Sequence, residues 1–490
     1  MLGIKALIQL AQQHHLPMPA PANDTNWKRQ WSDFYAGVRD GTFNSEDQAV
    51  AALFGTTPGA RATYQALKTA CREALVGQLN AYNAELEQQT DPSPVYNACY
   101  RQWLSVRAMT GENAHTFALE LAHQLLRIAA KFDFTQLCTD ISLYLRIQYC
   151  LREPDEASCQ EADQRYRYFR DLRDQEYEAE KAYATLAALM TDGQVGKMRV
   201  WGAAQKSLDA VQPALRRYPS AQLYLYGTLV KLIQLAVSND YPQALQTCER
   251  AIRFFQNRPY QARMPLQVFY YHALICCVQL KRLKKGREAF RQNLELVESG
   301  DHNRLKVNEL YSLLLLHTGQ YAMAKRIVSE VLEDPDLGFA PPNLQAVWTL
   351  YRSYLAYLLS DNGGPRTASA HTVPLPWSSL ETAGRIIRFI ESLRTGALQQ
   401  VSGVVREMEA YSRDRLKGEH TRRSRLFIQL LLLVPAQQYD RAAVERAAQP
   451  LLKKLAAIPI QIAYQTDELE IVPYEVLWQF VRSSLPETKK

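Results

Sequence analysis

The sequence predicts an all-α fold: an α-solenoid of antiparallel helical hairpins preceded by a small N-terminal helical module. Apolar residues recur at spacings of three and four through most of the chain, which is the pattern of amphipathic helices. Glycine, which loses the most backbone entropy in a helix, accounts for only 21 of 490 residues. A turn pattern that recurs about every 40 residues favours stacked hairpins over a single globular core.

The composition is that of a globular protein with a mild positive charge. Lys and Arg number 57 against 50 Asp and Glu, a net charge of +7, which gives weak support for an acidic partner. No run reaches the roughly 18 apolar residues of a membrane span, and the amino terminus lacks the apolar core of a secretory signal. The eight cysteines are scattered without a C-x-x-C pair. We therefore expect a cytoplasmic protein with reduced thiols and no membrane partner.

Residues 1–88 are expected to form the N-terminal helical module. Helices are predicted over 1–16 and from Trp27 to Arg39, and Ser45 with Gln48 forms a capping box for the next helix. Residues 46–75 then read as helix, a tight turn between two glycines, and helix. This segment resembles the helix-turn-helix of sigma-factor region four.

The helix-turn-helix resemblance implies a DNA-reading helix. Its candidate DNA-contacting side chains are Arg61, Gln65, Lys68 and Arg72. Residues 1–90 carry seven basic and eight acidic side chains, however, and a phosphate footprint calls for a basic balance. We therefore favour a structural cap for the helical array and keep DNA binding as the alternative.

Residues 95–360 are predicted to form the hairpin array, because one turn pattern recurs there. The pattern is a turn residue, then an aromatic or leucine two positions later, then a small residue three further on. It occurs at Gly319, Tyr321 and Ala324, at Asn239, Tyr241 and Ala244, and at Lys281, Leu283 and Gly286, with a weaker copy at Phe134 and Leu137. Gly or Asn tolerates the left-handed conformation between two helices, and a small residue lets the helices approach closely.

The turn pattern resembles the G-x-Y-x-x-A turn of the tetratricopeptide family, firmly over residues 200–335 and loosely over 95–360. Ala251 and Phe290 match the small and aromatic positions of the family's second helix. The first-helix signature is absent, since its positions read Asn308, Tyr311, Ser312 and Leu315. The resemblance implies a non-catalytic array whose first helices line a concave surface that binds a protein or peptide.

The rest of the chain, 378–490, is predicted to be a C-terminal helical region that could continue the array. A long segment rich in Gly, Pro and Ser, residues 360–379, precedes it and is interpreted as a domain joint or a functional insertion. Residues 458–464 alternate in polarity, so they form either a short strand or an irregular helix junction. A final helix is expected near the carboxyl end.

Two groups of residues are candidates for partner binding. The first is a basic cluster that can attract an acidic segment, or else forms a solvated outer turn. It comprises Lys281, Arg282, Lys284, Lys285, Arg287 and Arg291. The second is an aromatic stripe on one helix, Trp348, Tyr351 and Tyr354 followed by Tyr357. Such a stripe either anchors a peptide or packs against the neighbouring hairpin, and packing is favoured. Residues 413–425 form a further basic segment.

No motif indicates an enzyme or a cofactor. The chain contains no H-E-x-x-H, phosphate-binding loop, G-x-G-x-x-G or G-x-S-x-G. Glu120 and His123 have the spacing of a di-iron helix motif, but one copy falls short of such a site. The sequence therefore predicts a non-catalytic scaffold or adaptor without metal or cofactor, which binds a protein or peptide. The alternative is a DNA-binding transcriptional regulator whose solenoid is a sensor.

Overall fold

The computed structural model confirms the all-α class. It describes residues 2–21, 28–43, 45–109, 115–152, 154–191, 196–298, 302–359, 378–394, 398–418, 421–460 and 470–485. Within these ranges the chain forms α-helices, one π-helical segment and one short 3-10 helix, and no strand.

The following α-helices lie in residues 2–191, and those up to Gln88 fall within the segment predicted as the N-terminal module. They are α1 (Leu2–Gln13), α2 (Lys28–Arg39), α3 (Glu46–Phe54), α4 (Ala60–Gln88), α5 (Pro92–Met109), α6 (His115–Lys131), α7 (Thr135–Ile147) and α8 (Glu156–Thr191). The π-helical segment Gln148–Arg152 lies between α7 and α8. Ser45 caps α3 as expected, because its hydroxyl accepts the backbone N–H of Gln48 at 3.2 Å. Gly55 and Gly59 occupy the tight turn with φ of 63° and 89°.

The next α-helices along the chain lie in residues 197–483. They are α9 (Lys197–Arg217), α10 (Ala221–Val237), α11 (Tyr241–Gln256), α12 (Arg263–Leu280), α13 (Leu283–Leu296), α14 (His302–His317), α15 (Tyr321–Glu333), α16 (Pro342–Leu358), α17 (Ser378–Arg394), α18 (Leu398–Arg415), α19 (Arg422–Ala436), α20 (Arg441–Ala456) and α21 (Tyr474–Ser483). No described helix is long and apolar enough to cross a membrane. Most of the predicted 360–379 segment and residues 461–464 of the predicted strand lie outside the described residues.

One backbone geometry closes the hairpins α6–α7, α10–α11, α12–α13 and α14–α15. Each has one residue with positive φ, from 53° to 74°: Asp133, Asn239, Lys281 and Gly319. In the last hairpin the N–H of Gln320 donates to the carbonyl of Leu315 at 2.8 Å, and the N–H of Gly319 donates to that of Leu316 at 3.4 Å. The same pair of bonds recurs at the other three turns, which makes each a Schellman motif.

The geometry refines the sequence pattern in two places. The weak copy is anchored on Asp133, so Thr135 and Cys138 occupy the positions that the pattern gives to an aromatic and a small residue. A further hairpin, α19–α20, has a related turn with positive φ at both Gln438 and Tyr439. The sequence pattern missed this hairpin because its turn is longer and begins on a glutamine.

The small residue of the pattern does allow close helix packing. A Cβ added to Gly286 would overlap Cδ2 of Leu314 and would lie 3.2 Å from Cβ of Cys277. The equivalent Ala244 and Ala324 are buried. Helix α13 therefore lies against α12 and α14 at a distance that permits only the smallest side chains at this position.

The chain divides into two compact units. The first comprises Met1–Ala182, Asp209–Gly227 and Asn257–Ala262, and the second comprises Tyr183–Leu208, Thr228–Gln256 and Arg263–Lys490. In the first unit α1 packs on α2, α4 and α5, and α5, α6 and α7 pack in sequence. In the second unit each helix from α11 to α21 packs on its successor, and the first helices α12 and α14 also pack together. Such packing between sequence neighbours is typical of a helical-hairpin array.

Polar contacts join distant segments within the first unit. The Asp133 carboxylate accepts hydrogen bonds from the Tyr260 hydroxyl at 2.6 Å and from the Arg258 guanidinium. Buried Glu176 on α8 accepts hydrogen bonds from the hydroxyls of Thr135 and Ser220, at 2.9 Å and 2.5 Å. These contacts explain how residues 209–227 and 257–262 belong to a unit formed otherwise by the start of the chain.

The cysteine prediction needs one correction. Cys150 and Cys159 form a disulfide between the π-helical segment and the first turns of α8. The remaining six cysteines are free and buried, as expected for thiols that act as small apolar side chains. The sequence offered no C-x-x-C signal for this pair because the two thiols meet only through the turn between α7 and α8.

Candidate partner-binding surface

The basic cluster lies on hairpin α12–α13, and all six of its side chains are exposed. Helix α13 buries Gly286, Ala289 and Phe290, which leaves Lys284 and Arg287 on the opposite, solvent-facing side. Lys281 occupies the left-handed position of the turn. The helical periodicity of α13 thus places its buried residues and its cations on different sides of the helix.

The hairpin holds the basic cluster on a well-packed support. The rings of Phe290 and Tyr311 stack with centroids 4.0 Å apart, which joins α13 to α14. The Asn293 amide, itself buried, donates to the backbone carbonyl of Gln267 at 2.7 Å and joins α13 to α12. Because both contacts are on the buried side of α13, the cations project from a surface of fixed geometry.

Two of the six cations already have acidic partners. Lys285 pairs with Glu249 on α11 at 2.5 Å, and Arg291 pairs with Glu288 on its own helix at 2.9 Å. The other four, Lys281, Arg282, Lys284 and Arg287, make no ion pair with any described residue. The cluster therefore presents four uncompensated positive charges to solvent.

The aromatic stripe on α16 is part of the core. Trp348 and Tyr351 are 0% exposed, Tyr354 is 2% exposed, and Tyr357 is half-buried. The Tyr354 hydroxyl donates to the carbonyl of Ala383 at 2.9 Å, which joins α16 to α17. A partner on the surface cannot reach buried rings, so this corrects the assignment of Trp348, Tyr351 and Tyr354 as binding residues. The packing interpretation accounts for them.

Sequence reasoning missed a polar group on α14. Burial raises the pKa of Glu309 to about 7, and nearby Lys306 lowers it. The charge of Glu309 in turn contributes to the raised pKa values of Tyr271 on α12 and Tyr351 on α16, after burial itself. The Glu309 side chain is half-buried and lies near Tyr271 of α12 and Tyr351 of α16. A single glutamate in an apolar helix carries no motif that would reveal this.

The candidate DNA-contacting residues are largely engaged within the N-terminal module. Arg61 pairs with Asp47 at 2.9 Å, and the Gln65 amide donates to Glu46 at 3.1 Å. Lys68 also donates to Glu46. Arg72 is exposed and makes no ion pair with a described residue. Three of the four side chains thus face carboxylates of α3, which would compete with DNA phosphates for the same donors.

The second basic segment, 413–425, contributes one buried cation. Arg423 is buried and pairs with Glu470 and Glu475, each at 2.9 Å, and it also donates to the carbonyl of Leu455. Arg423 therefore joins α19 to α21 and to the segment before it. Its role is structural, since a buried guanidinium with these partners has no free face.

Glu120 and His123 show no sign of a metal site. Nε2 of His123 is hydrogen-bonded to the hydroxyl of Tyr149 at 2.9 Å. Among the described residues no group of three or more His, Cys, Asp or Glu side chains has the arrangement needed to hold a metal ion. The ordinary polar interpretation of His123 fits this contact.

The fold defines the class of this protein, an all-α protein built from antiparallel helical hairpins. No family model, curated protein or solved structure matches the chain. The tetratricopeptide resemblance therefore stays a prediction, as do the cytoplasmic location and the domain boundaries at 88, 95, 360 and 378.

Proposed function

We propose that this protein is a non-catalytic scaffold or adaptor that binds an acidic segment of a protein or peptide partner at the basic cluster. The observation that carries this proposal is the set of four exposed cations, Lys281, Arg282, Lys284 and Arg287, without ion pairs to described residues. Unpaired cations on one packed hairpin attract an extended anionic chain. The same charges repel cationic segments, which favours acidic partners.

The proposed surface differs from the first-helix surface that the sequence suggested. Packed first helices leave Trp348 and Tyr351 buried, whereas α13, a second helix, carries the accessible charges. Binding through exposed charges is expected to be fast to form and sensitive to salt, because the attraction is screened over about 8 Å at physiological ionic strength.

A charge reversal tests the proposal. We choose the double variant Lys284→Glu and Arg287→Glu, because both side chains are exposed on α13 and neither is in an ion pair with a described residue. The matched control reverses Lys453 and Lys454 on α20, which are also exposed and change the net charge equally. The probe is a fluorescein-labelled peptide of alternating Glu and Ala, followed by fluorescence anisotropy with the full chain.

We expect the α13 variant to bind the acidic peptide about tenfold more weakly than the unaltered chain, since two attractions become repulsions. The control should lose no more than about twofold, from net charge alone. Equal losses in the two variants would contradict the proposal. Preferential binding of a duplex DNA, weakened by Arg72→Glu, would instead favour the DNA-binding alternative.

A further inference from the structure

A cleft of about 620 Å³ opens between α6 and α8 of the first unit. Helix α6 contributes His123, Leu126 and Arg127, and α8 contributes Arg165, Tyr168 and Phe169. Each set occupies positions one, three or four apart, so a single face of each helix lines the cleft. Its volume lies within the roughly 300–1,000 Å³ range of small-molecule sites.

The lining of the cleft combines apolar walls with cations. Leu126 is buried, Phe169 is half-buried, and Tyr168 is 40% exposed although it is a large aromatic residue. Tyr168 is held in place by edge contacts with Phe169 at 5.2 Å and with Tyr218 at 5.4 Å between centroids. The accessible ring therefore forms a fixed wall against which a flat apolar group can stack.

The cations of the cleft are incompletely neutralised. Arg127 is exposed and makes no ion pair or hydrogen bond with a described residue. Arg165 pairs with Glu161 on its own helix at 2.5 Å, an exposed contact that is worth little and can be exchanged. Burial and the charge of Arg165 lower the pKa of His123, so its ring is neutral at pH 7. One uncompensated positive charge thus lies beside an aromatic wall.

The π-helical segment between α7 and α8 supports the side of the cleft that contains His123. His123 is bonded to the hydroxyl of Tyr149, and Cys150, the next residue, is covalently linked to Cys159 on α8. The backbone carbonyl of Tyr149 also accepts the N–H of Asp155 at 3.0 Å. The disulfide and these hydrogen bonds tie together the segments at this end of the cleft, which makes it a pre-formed site.

We propose that this cleft binds a small organic anion, in which a carboxylate, sulfonate or phosphate is attached to a flat apolar body. The anionic group pairs with Arg127, with Arg165 as the second cation, and the apolar body lies between Leu126, Tyr168 and Phe169. The cleft is in the first unit and the basic cluster is in the second, so the cleft is a different site from the proposed partner-binding surface.

A pair of fluorescent probes tests both halves of the proposed ligand. 8-Anilino-1-naphthalenesulfonate carries a sulfonate on a flat apolar body, and N-phenyl-1-naphthylamine has the same rings without it. We titrate both into the full chain and into Arg127→Gln. The control is Arg107→Gln on α5, an exposed arginine that is also without an ion pair to a described residue and lies outside the cleft lining. Circular dichroism checks that helicity is retained.

The unaltered chain should bind a single molecule of the sulfonate probe, and should bind it more tightly than the uncharged probe. Arg127→Gln should weaken the sulfonate probe about fivefold and leave the uncharged probe unchanged, whereas Arg107→Gln should change neither. Tyr168→Ala should weaken the binding of both probes, and Tyr177→Ala, which removes a more exposed tyrosine of the same helix outside the cleft lining, should weaken neither. Equal effects of Arg127→Gln and Arg107→Gln, or weak binding of many probe molecules to every variant, would overturn the proposal.

Discussion

Replacing Gly286 by alanine tests the close packing of the hairpin array. In an exposed helix interior this replacement stabilises a protein by up to about 1 kcal/mol, because glycine has the poorer helix propensity. Position 286 differs because the new Cβ would overlap Cδ2 of Leu314 and would lie 3.2 Å from Cβ of Cys277. Leu314 and Cys277 are both 0% exposed, so any shift of the Leu314 side chain must be accommodated within the buried core.

The net effect follows from two opposed contributions. Overpacking a well-packed core costs about 1–3 kcal/mol, and the helix-propensity gain offsets up to about 1 kcal/mol of that. We therefore expect Gly286→Ala to lower the free energy of unfolding by about 1–2 kcal/mol. The matched control is Gly403→Ala on α18, also in the second unit, where an added Cβ would have no atom within 4 Å. The control should raise the free energy of unfolding by up to about 1 kcal/mol.

Urea denaturation followed by far-ultraviolet circular dichroism measures both variants against the unaltered chain. The midpoint should move down for Gly286→Ala and up for Gly403→Ala, with an unchanged slope. If Gly286→Ala raised the midpoint as much as the control, α13 would not lie as close to α14 as the structure places it, and the role assigned to the small residue would be wrong.

Two further predictions concern a buried histidine and the disulfide. Burial lowers the pKa of His317 to about 4 in the folded chain, from 6.5 in the unfolded chain, so the unfolded state binds more protons as pH falls. Stability should therefore decline between pH 6.5 and 4, by at most about 3 kcal/mol for this group, and His317→Gln should have a flatter stability–pH profile; parallel profiles would contradict the assignment. Cys150 and Cys159 are nine residues apart, so reduction should cost about 2–3 kcal/mol in a loop-closure model, measured as a lower urea midpoint in dithiothreitol. The urea midpoint of Cys150→Ser should not change with the reductant. An equal shift in the unaltered chain and in Cys150→Ser would rule out stabilisation by the disulfide.

Local features of the fold could be predicted because they depend on local chemistry. The cap at Ser45, the turn glycines 55 and 59 and the left-handed turn at Gly319 are each set by a few neighbouring residues. The basic cluster could also be located, because the periodicity of α13 leaves its cations exposed once Gly286 and Phe290 face inward.

The candidate sites depended on contacts that no local pattern contains. The aromatic stripe on α16 has the same spacing whether it is buried or exposed, and the packing of α16 against its neighbours α15 and α17 decides that Tyr354 is buried. The pairing of Arg423 with Glu470 joins residues 47 apart. The pairs Arg61–Asp47 and Lys68–Glu46 depend on how α3 lies against α4.

The sequence by itself determined that this protein is helical and where the turns at Asn239, Lys281 and Gly319 lie, because helix periodicity and left-handed turns are encoded by residues a few positions apart. Only the tertiary structure decided which charges remain unpaired, which aromatic rings are buried and which cysteines are bonded. Those outcomes depend on the approach of helices that are distant in the chain, as when Lys285 meets Glu249 while Lys284 and Arg287 remain in solvent. A local pattern of residue types and spacings looks the same for a paired and an unpaired cation, because the partner comes from a helix distant in the chain.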